Sequence, residues 1–198
     1  LVKEDKLARL STEFHSKLKR LIIKVDKKIV IDELLVNEIN INKVEVFFQK
    51  YLNLGDNNKP KLVQGTKNEN NKNLKHSFSD LPEKAISIIN LNTIFDFEKK
   101  LGKKIDPSRF RANLLIDNID PWKEFDWVGK KVKIGDCVLE VFKRTQRCAA
   151  TNVNPESALR DINIPNAINS YFGHLDLGVY AKVEKTGVIS VNDELYVN

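Results

Sequence analysis

The sequence predicts a mainly β (α+β) fold, with a β-barrel core and a few peripheral helices. Short apolar runs rich in β-branched residues recur at regular spacing along the chain, which is typical of strands in a barrel or sandwich. Helical periodicity is confined to a few segments. The chain has 198 residues, of which 41% are hydrophobic, which is enough to bury a core and to exclude wholesale disorder.

Helices are predicted where apolar residues recur about every 3.6 positions. Asn40 or Asn42 is the candidate N-cap of the second helix. Asn92 is the candidate N-cap of the third helix, which is expected to end just before Gly102. The predicted helices are 3–15, 42–52, 93–101 and 165–172.

Strands are predicted for the alternating and β-branched runs. The turn Asp26-Lys27-Lys28 joins the first two strands, and turns at Gly135-Asp136 and Thr186-Gly187 are expected to form hairpins. Lys61-Leu62-Val63 is a candidate for one further short strand. The predicted strands are 18–25, 29–31, 85–89, 110–116, 131–134, 137–143, 178–183, 188–191 and 194–197.

A polar segment divides the chain. Residues 64–73 include no apolar side chain and cannot bury themselves, so this stretch is predicted to be a linker or a surface loop. We therefore expect an N-terminal part over 1–60, a polar linker over 61–75 and the main domain over 76–198.

The charge pattern argues against nucleic-acid binding. The net charge is +6, but 26 of the 33 basic residues are Lys, and they are spread along the chain, often beside Asp or Glu. This distribution is typical of an ordinary solvated surface, so no nucleic-acid partner is expected.

The sequence also bears on membrane insertion and on the cellular compartment. No apolar run approaches the roughly 20 residues that span a bilayer, and Leu1–Lys6 shows no signal-peptide pattern. Cys137 and Cys148 do not form a disulfide framework, so we expect a reducing compartment and a cytoplasmic location. The chain begins at Leu1 and contains no Met, which leaves open that it starts inside a longer reading frame.

The arginines are more informative than the lysines about a candidate binding site. Five of the seven fall between residues 109 and 160: Arg109, Arg111, Arg144, Arg147 and Arg160. The planar guanidinium suits phosphate and carboxylate groups, so this clustering indicates a site for an anion. The alternative, that some of them pair with nearby carboxylates such as Asp106 or Asp161, is equally consistent with the sequence.

The two cysteines differ in context. Cys137 alternates with apolar neighbours and is expected to be a buried small hydrophobe. Cys148 follows Arg144 and Arg147, and nearby cations favour the thiolate that attacks electrophiles and binds soft metals. An inert structural thiol at a strand end is the alternative reading of Cys148.

Other common sites lack support in the sequence. A zinc site is not expected, because there is no Cys-x-x-Cys and the histidines are scattered. A triad of Cys148, His174 and Asp161 can be drawn, but nothing in the spacing supports it.

An ordered series of motifs in the second part of the chain resembles one known family. The motifs are His76-Ser77-Phe78-Ser79-Asp80, Ile86-Ser87-Ile88-Ile89-Asn90-Leu91, Arg109-Phe110-Arg111-Ala112-Asn113, Trp127-Val128-Gly129-Lys130, Arg147-Cys148-Ala149-Ala150-Thr151-Asn152-Val153-Asn154-Pro155, Gly178-Val179-Tyr180-Ala181 and Val188-Ile189-Ser190-Val191-Asn192-Asp193. They resemble the MOSC domain, named for the C-terminus of molybdenum-cofactor sulfurase, and are close to the branch that includes the mitochondrial amidoxime reducing component. The resemblance covers about 76–198, while 1–60 resembles the end of the β-barrel subdomain that precedes the MOSC core in that branch.

The resemblance implies a MOSC-type β-barrel that holds the molybdenum cofactor, a molybdopterin. It implies that Cys148 is the metal ligand and catalytic residue, or the carrier of sulfur in sulfurase-type members. The other residues that it places around the cofactor are Arg111, Asn113, Ser79, Asp80, Arg147, Thr151 and Asn152.

The leading hypothesis is therefore an oxidoreductase that acts on N-hydroxylated or related small molecules and receives electrons from a separate donor protein. One alternative is a sulfur carrier or transferase in which Cys148 forms a persulfide, and another is a truncated domain without activity.

The chain departs from the family pattern at two places. No Tyr-Pro-Val-Lys type strand occurs, although its Lys meets the cofactor phosphate in that branch, which bears on the affinity for the cofactor. The family often has Asp-Pro-x-Thr-Gly after the ligand Cys, where this chain has Asn154-Pro155-Glu156-Ser157-Ala158. Loss of that Gly is expected to reshape a turn that requires a positive φ.

Overall fold

The computed structural model describes residues 2–63, 81 and 83–198. The chain divides into two compact units, and each is described by itself. The first unit comprises Leu1–Thr66 and Val153–Asp161, and the second comprises Lys67–Asn152 and Ile162–Asn198.

The first unit is a three-stranded antiparallel sheet with one long helix. A 3₁₀ turn at Asp5–Arg9 leads into the sheet, and Ile23, Ile31 and Val44 form its small core. The elements are β1 (Leu10–His15), β2 (Arg20–Val25), β3 (Lys28–Leu34) and α1 (Glu38–Tyr51), and the strands lie in the order β1-β2-β3.

Three predictions in this unit are wrong. The predicted helix over 3–15 is only a 3₁₀ turn followed by β1, because Leu10–His15 pairs in register with β2 and tertiary pairing overrides the short helical pattern. The N-cap of α1 is Asn37, whose side chain accepts a hydrogen bond from the backbone N–H of Asn40 at 2.9 Å. The candidate strand at 61–63 is irregular chain, whereas the two predicted strands around residues 26–28 are confirmed as β2 and β3.

The second unit contains a six-stranded mixed sheet with two helices. The strands lie in the order β5-β4-β8-β7-β6-β9, and only the β4–β5 pair is parallel. The elements are β4 (Ala85–Asn90), α2 (Leu91–Leu101), β5 (Leu114–Ile116), β6 (Lys131–Ile134), β7 (Cys137–Gln146), α3 (Ile164–Phe172), β8 (Asp176–Lys185) and β9 (Leu195–Val197).

This sheet curls into a half-barrel whose edge strands β5 and β9 do not pair with each other. One apolar cluster includes Val132, Leu139 and Val179 from the sheet. A second cluster joins Leu177 of β8 to residues of α2 and α3, such as Phe97 and Ile168. The mixed α+β class is therefore confirmed, with an open half-barrel in place of a closed barrel.

Several element limits in this unit differ from the predictions. The N-cap of α2 is Asn90, not Asn92, because the Asn90 side chain accepts from the backbone N–H of Asn92 at 3.0 Å. Only 114–116 of the predicted strand 110–116 is extended, since Pro107–Phe110 forms a 3₁₀ turn. Residues 188–191 form no strand, so the predicted hairpin of 178–183 with 188–191 around Thr186-Gly187 is wrong. The strand β9 pairs with β6.

Other elements are as predicted. Helices α2 and α3, the β6–β7 hairpin at Gly135-Asp136 and the closing strand are confirmed. Most of the predicted linker, 64–75, lies outside the described residues. Within the described residues, no helix has the length and apolar character needed to cross a bilayer.

Candidate functional site

Cys148 lies just beyond the end of β7, in a loop of residues 147–152 that we call the Cys148 loop. Its side chain is a free, exposed thiol, whereas Cys137 is free and buried in β7, as the sequence predicts. Of the two cysteines, only Cys148 is therefore accessible from solvent.

The neighbouring Arg147 holds this loop in place through buried contacts. The residue is 7% exposed. Its guanidinium donates through Nε to the carbonyl of Leu177 at 2.8 Å and through Nη1 to the carbonyl of Phe110 at 3.3 Å. It also lies over the Phe110 ring, with Cζ 5.2 Å from the ring centroid. Burial lowers the pKa of the Arg147 guanidinium to about 10, which still leaves it charged at neutral pH.

Arg109 makes the reciprocal connection. It belongs to residues 107–113, which we call the Arg111 loop, and its side chain is 5% exposed. Its Nη1 donates to the carbonyl of Asn152 at 3.1 Å, with a longer contact of 3.5 Å to the carbonyl of Thr151. Arg147 thus reaches from the Cys148 loop to the Arg111 loop, and Arg109 reaches back, so two buried cations brace the two loops.

Arg111 is presented differently from its neighbours. It follows the 3₁₀ turn with a φ of 52°, in the left-handed region that costs a residue with a Cβ about 1–2 kcal/mol. Its side chain is exposed. Because the Arg111 side chain is exposed, its guanidinium is accessible to a ligand.

The remaining predicted site residues in the described part form hydrogen bonds within the Cys148 loop or from the two loops to α3 and β4. Thr151 Oγ1 donates to the carbonyl of Cys148 at 2.8 Å, and Asn152 Oδ1 accepts from the first backbone N–H of α3, that of Ile164, at 3.0 Å. Asn113 Oδ1 accepts from the backbone N–H and the hydroxyl of Ser87, both at 2.9 Å. Cofactor contacts by these three residues stay predictions, as do those of Ser79 and Asp80, which lie outside the described residues.

The arginine cluster predicted from the sequence divides into three roles. Arg109 and Arg147 are internal braces, Arg111 is exposed, and Arg144 is exposed with its guanidinium 4.2 Å from the centroid of the Phe125 ring. Arg160 belongs to the first unit, where it donates to the carbonyl of Val2 at 2.9 Å.

His174 lies among aromatic side chains. Its ring packs against Trp122, Phe125 and Phe172, and its Nδ1 accepts from the backbone N–H of Asp176 at 3.2 Å. This environment gives no support to a triad with Cys148.

Arg109 is the positioning residue that the sequence analysis left out of the site. The only signal was that Arg is rare in this chain and clustered here. Burial and carbonyl contacts, which decide its role, are not visible in the sequence.

The side chains available as ligands suit a metal whose other ligands are supplied by a cofactor. In the described residues no group of three or more His, Cys, Asp and Glu side chains could hold a metal ion. One exposed thiol can complete the coordination of a soft metal, and the exposed Arg111 can pair with a phosphate. These residues fit a molybdopterin.

The fold and the braced thiol thus define a half-barrel domain that presents a single cysteine, and comparison with known proteins identifies its family. A family model described as the MOSC domain matches residues 73–196. Because this is more than half of the chain, the protein belongs to the MOSC domain family, and the resemblance drawn from the motifs is confirmed.

Individual relatives are distant. Mitochondrial amidoxime-reducing component 1 from Homo sapiens is 28% identical over 122 residues, which cover 56% of this chain and 36% of that protein. Molybdenum cofactor sulfurase from Arabidopsis thaliana is 38% identical over 61 residues, 31% of this chain and 7% of that protein. The chain thus spans about a third of the amidoxime-reducing relatives that it matches.

The chain is also similar to proteins of known structure. The crystal structure of YiiM from Geobacillus stearothermophilus has a TM-score of 0.45 and 20% identity, covering 57% of this chain and 53% of that chain.

Proposed function

We propose that this domain binds the molybdenum cofactor, with Cys148 as the protein ligand to the metal. The observation that carries the proposal is the exposed free thiol of Cys148, presented by a loop that Arg109 and Arg147 brace against the loop of Arg111. The relatives named for amidoxime reduction and for molybdenum-cofactor sulfuration support it.

Each residue has a part in binding. Cys148 would supply the thiolate, which is a better ligand for a soft metal than an oxygen donor. Arg111 would pair with the cofactor phosphate through its planar fork of donors. Arg109 and Arg147 would act as positioning residues, because both are buried and donate to backbone carbonyls across the two loops that carry Cys148 and Arg111.

We propose that the domain is an oxidoreductase for N-hydroxylated or related small molecules. When bound, the cofactor supplies a metal centre that exchanges electrons and an oxygen atom with a substrate. Because Cys148 is exposed, the site it builds is accessible to a small molecule and to a separate electron-donor protein. A reducing compartment such as the cytoplasm would keep the thiol free.

The test is elemental analysis of the purified protein after expression with cofactor supply. Wild type should retain molybdenum, and Cys148→Ser should lose it, because a neutral hydroxyl replaces the thiolate. Cys137→Ser is the matched control and should retain molybdenum, because this buried thiol only packs in the core. Equal loss in both variants would show that destabilisation, not ligation, is being measured.

The sulfur-carrier alternative predicts a different result. A protein without molybdenum whose Cys148 gains one sulfur atom, detected by mass spectrometry of the peptide, would favour a persulfide over a metal site. A wild-type protein that carries neither molybdenum nor extra sulfur would contradict both functions.

A further inference from the structure

The core of the second unit contains a carboxylate that the proposed site does not use. Glu124 lies in the 3₁₀ turn Lys123–Trp127 and is fully buried. Within the described residues it forms no ion pair with Lys, Arg or His. Burial raises the pKa of its carboxyl, because a buried charge is costly unless hydrogen bonds stabilise it.

Hydrogen-bond donors from β4, α2 and β8 surround the Glu124 carboxylate. Asn90 Nδ2 donates to Oε2 at 3.3 Å, and Thr93 Oγ1 donates to Oε1 at 2.8 Å. The donor from β8 is the backbone N–H of Gly178. The Thr93 hydroxyl also accepts from the backbone N–H of Trp122 at 2.8 Å, so its own proton is directed to Glu124. Because these neighbours all act as donors, they favour the ionised carboxylate.

Arg147 and Glu124 bond to the same peptide of β8. The carbonyl of Leu177 and the N–H of Gly178 are the two polar groups of the planar Leu177–Gly178 peptide. Arg147 donates to this carbonyl through Nε at 2.8 Å and also through Nη2. Glu124 accepts from the N–H on the other side, since the two groups of a trans peptide point in opposite directions. The peptide therefore lies between a buried cation and a buried anion.

The strand ladder is interrupted at this peptide. In the described strands the pairing of β8 passes from Val179 to Asp176, and neither Leu177 nor Gly178 has a register partner in β4 or β7. A buried peptide must still satisfy its N–H and C=O groups. The side chains of Glu124 and Arg147 therefore take the place of neighbouring strands here.

The two charges match the polarity of the peptide. The carbonyl oxygen is the negative end of the peptide dipole and the N–H is the positive end, so Arg147 and Glu124 each face the end of opposite charge. In a buried environment such charge-assisted hydrogen bonds are strong and polarise one another. Each charge therefore strengthens the hydrogen bond that the other makes.

We propose that Glu124 is a positioning residue for the Cys148 loop and acts through the Leu177–Gly178 peptide and Arg147. Glu124 holds the N–H of the peptide, the peptide carbonyl holds the guanidinium of Arg147, and Arg147 precedes Cys148 in the chain. Loss of the Glu124 charge should loosen Arg147 and shift the loop. The consequence for metal binding rests on the proposed function, whereas the coupling of Glu124 to Arg147 does not.

The test follows the Arg147 Nε–H by heteronuclear NMR in metal-free protein. Glu124→Gln keeps the shape of the side chain and an acceptor for Gly178 but removes the charge. We expect the Arg147 Nε–H to exchange with solvent about tenfold faster than in wild type, and the backbone signals of the Cys148 loop to shift. Each rate is divided by that of the backbone N–H of the fully buried Leu139, which corrects for a change in global stability.

Thr93→Val is the matched control. It removes a hydrogen bond to the same carboxylate but leaves the charge and the peptide in place, so the Arg147 Nε–H should exchange as in wild type. Unchanged exchange in Glu124→Gln, or equal acceleration in Thr93→Val, would overturn the proposal. Arg147→Met supplies the reverse measurement and decides if Glu124→Gln does not fold. Exchange of the Gly178 N–H should then rise about tenfold, and an unchanged rate would also overturn the proposal.

Molybdenum retention is measured separately in the same variants. Under the proposed function Glu124→Gln should retain less molybdenum than Thr93→Val, because the loop that carries Cys148 is less well positioned. A wild type without molybdenum would contradict the proposed function and leave the exchange result standing. Equal retention in the two variants would overturn the role of Glu124 in positioning Cys148.

Discussion

Two loops that follow each other in the chain are stabilised in different ways. The Cys148 loop, 147–152, is held by side chains that reach residues about 30–40 positions away, such as Arg147 to Leu177 and Arg109 to Asn152. The following loop, 153–161, belongs to the first unit and closes mostly on itself. The backbone N–H of Asn154 donates to the carbonyl of Leu159 at 2.8 Å, and Val153 forms a β-bridge with Arg160.

The two loops also differ in where strain is located. In the loop 153–161, Ala158 itself has a φ of 57°, at the position where the family often has Gly. For the Cys148 loop, the residues with a positive φ lie in the segments that it contacts, at Arg111 and Gly178. Long-range braces thus fix the loop that carries the thiol, and local bonds suffice for the other. The variants below test this difference.

The largest effect is expected from Arg147→Met. The substitution keeps most of the buried volume but leaves the carbonyls of Leu177 and Phe110 without their donor, and each unsatisfied buried group costs about 1–3 kcal/mol. We expect the free energy of unfolding to fall by about 3 kcal/mol in urea denaturation.

Arg144→Met is the matched control for this change. Arg144 is exposed and contacts the Phe125 ring, so its loss should cost less than about 1 kcal/mol. Similar losses in the two variants would contradict the bracing role of Arg147.

A smaller effect is expected from Gly178→Ala. A Cβ at Gly178 would lie 2.5 Å from the carbonyl oxygen of Ile88 and 3.2 Å from Nη2 of Arg147, in addition to the strain of a φ of 78°. We expect a loss of about 2 kcal/mol. Gly173→Ala has a φ of 73° with no atom within 4 Å of the added Cβ, and should lose only about 1 kcal/mol, so the difference measures the crowding against the brace.

The smallest effect, and the one of opposite sign, is expected from Ala158→Gly. Removing the Cβ relieves about 1–2 kcal/mol of left-handed strain, while Gly adds about 0.5–1 kcal/mol of chain entropy to the unfolded state. We expect a net stabilisation of about 0.5 kcal/mol, measured as a higher midpoint of urea denaturation. A destabilised variant would show that the Ala158 side chain, which is 9% exposed, contributes more by packing than its backbone costs.

The sequence predicted the elements whose own residues decide their structure. Helix α3 has Pro165 in its first turn and ends at Gly173, and the β6–β7 hairpin has a two-residue turn at Gly135-Asp136. Predictions failed where a distant partner decides. Leu10–His15 becomes a strand because β2 pairs with it. Residues 188–191 do not pair with β8 as predicted, and the chain returns to the sheet only at β9, which pairs with β6.

The site follows the same rule. The burial of Cys137 could be predicted from its alternating apolar neighbours, whereas the exposure of Cys148 is seen only in the structure. The roles of the arginines could not be predicted, because Arg109 and Arg111 differ by two positions and yet one is buried under the other loop and one is exposed. Only the three-dimensional pairing of the two loops separates a brace from a candidate ligand.

The central claim, that the cofactor engages Cys148, is tested most directly by alkylation with iodoacetamide under native conditions, read out by peptide mass spectrometry. In metal-free protein Cys148 should be labelled and the buried Cys137 should not. In molybdenum-loaded protein Cys148 should be protected, with Cys137 still unlabelled. Equal labelling of Cys148 in the loaded and metal-free proteins would contradict the account.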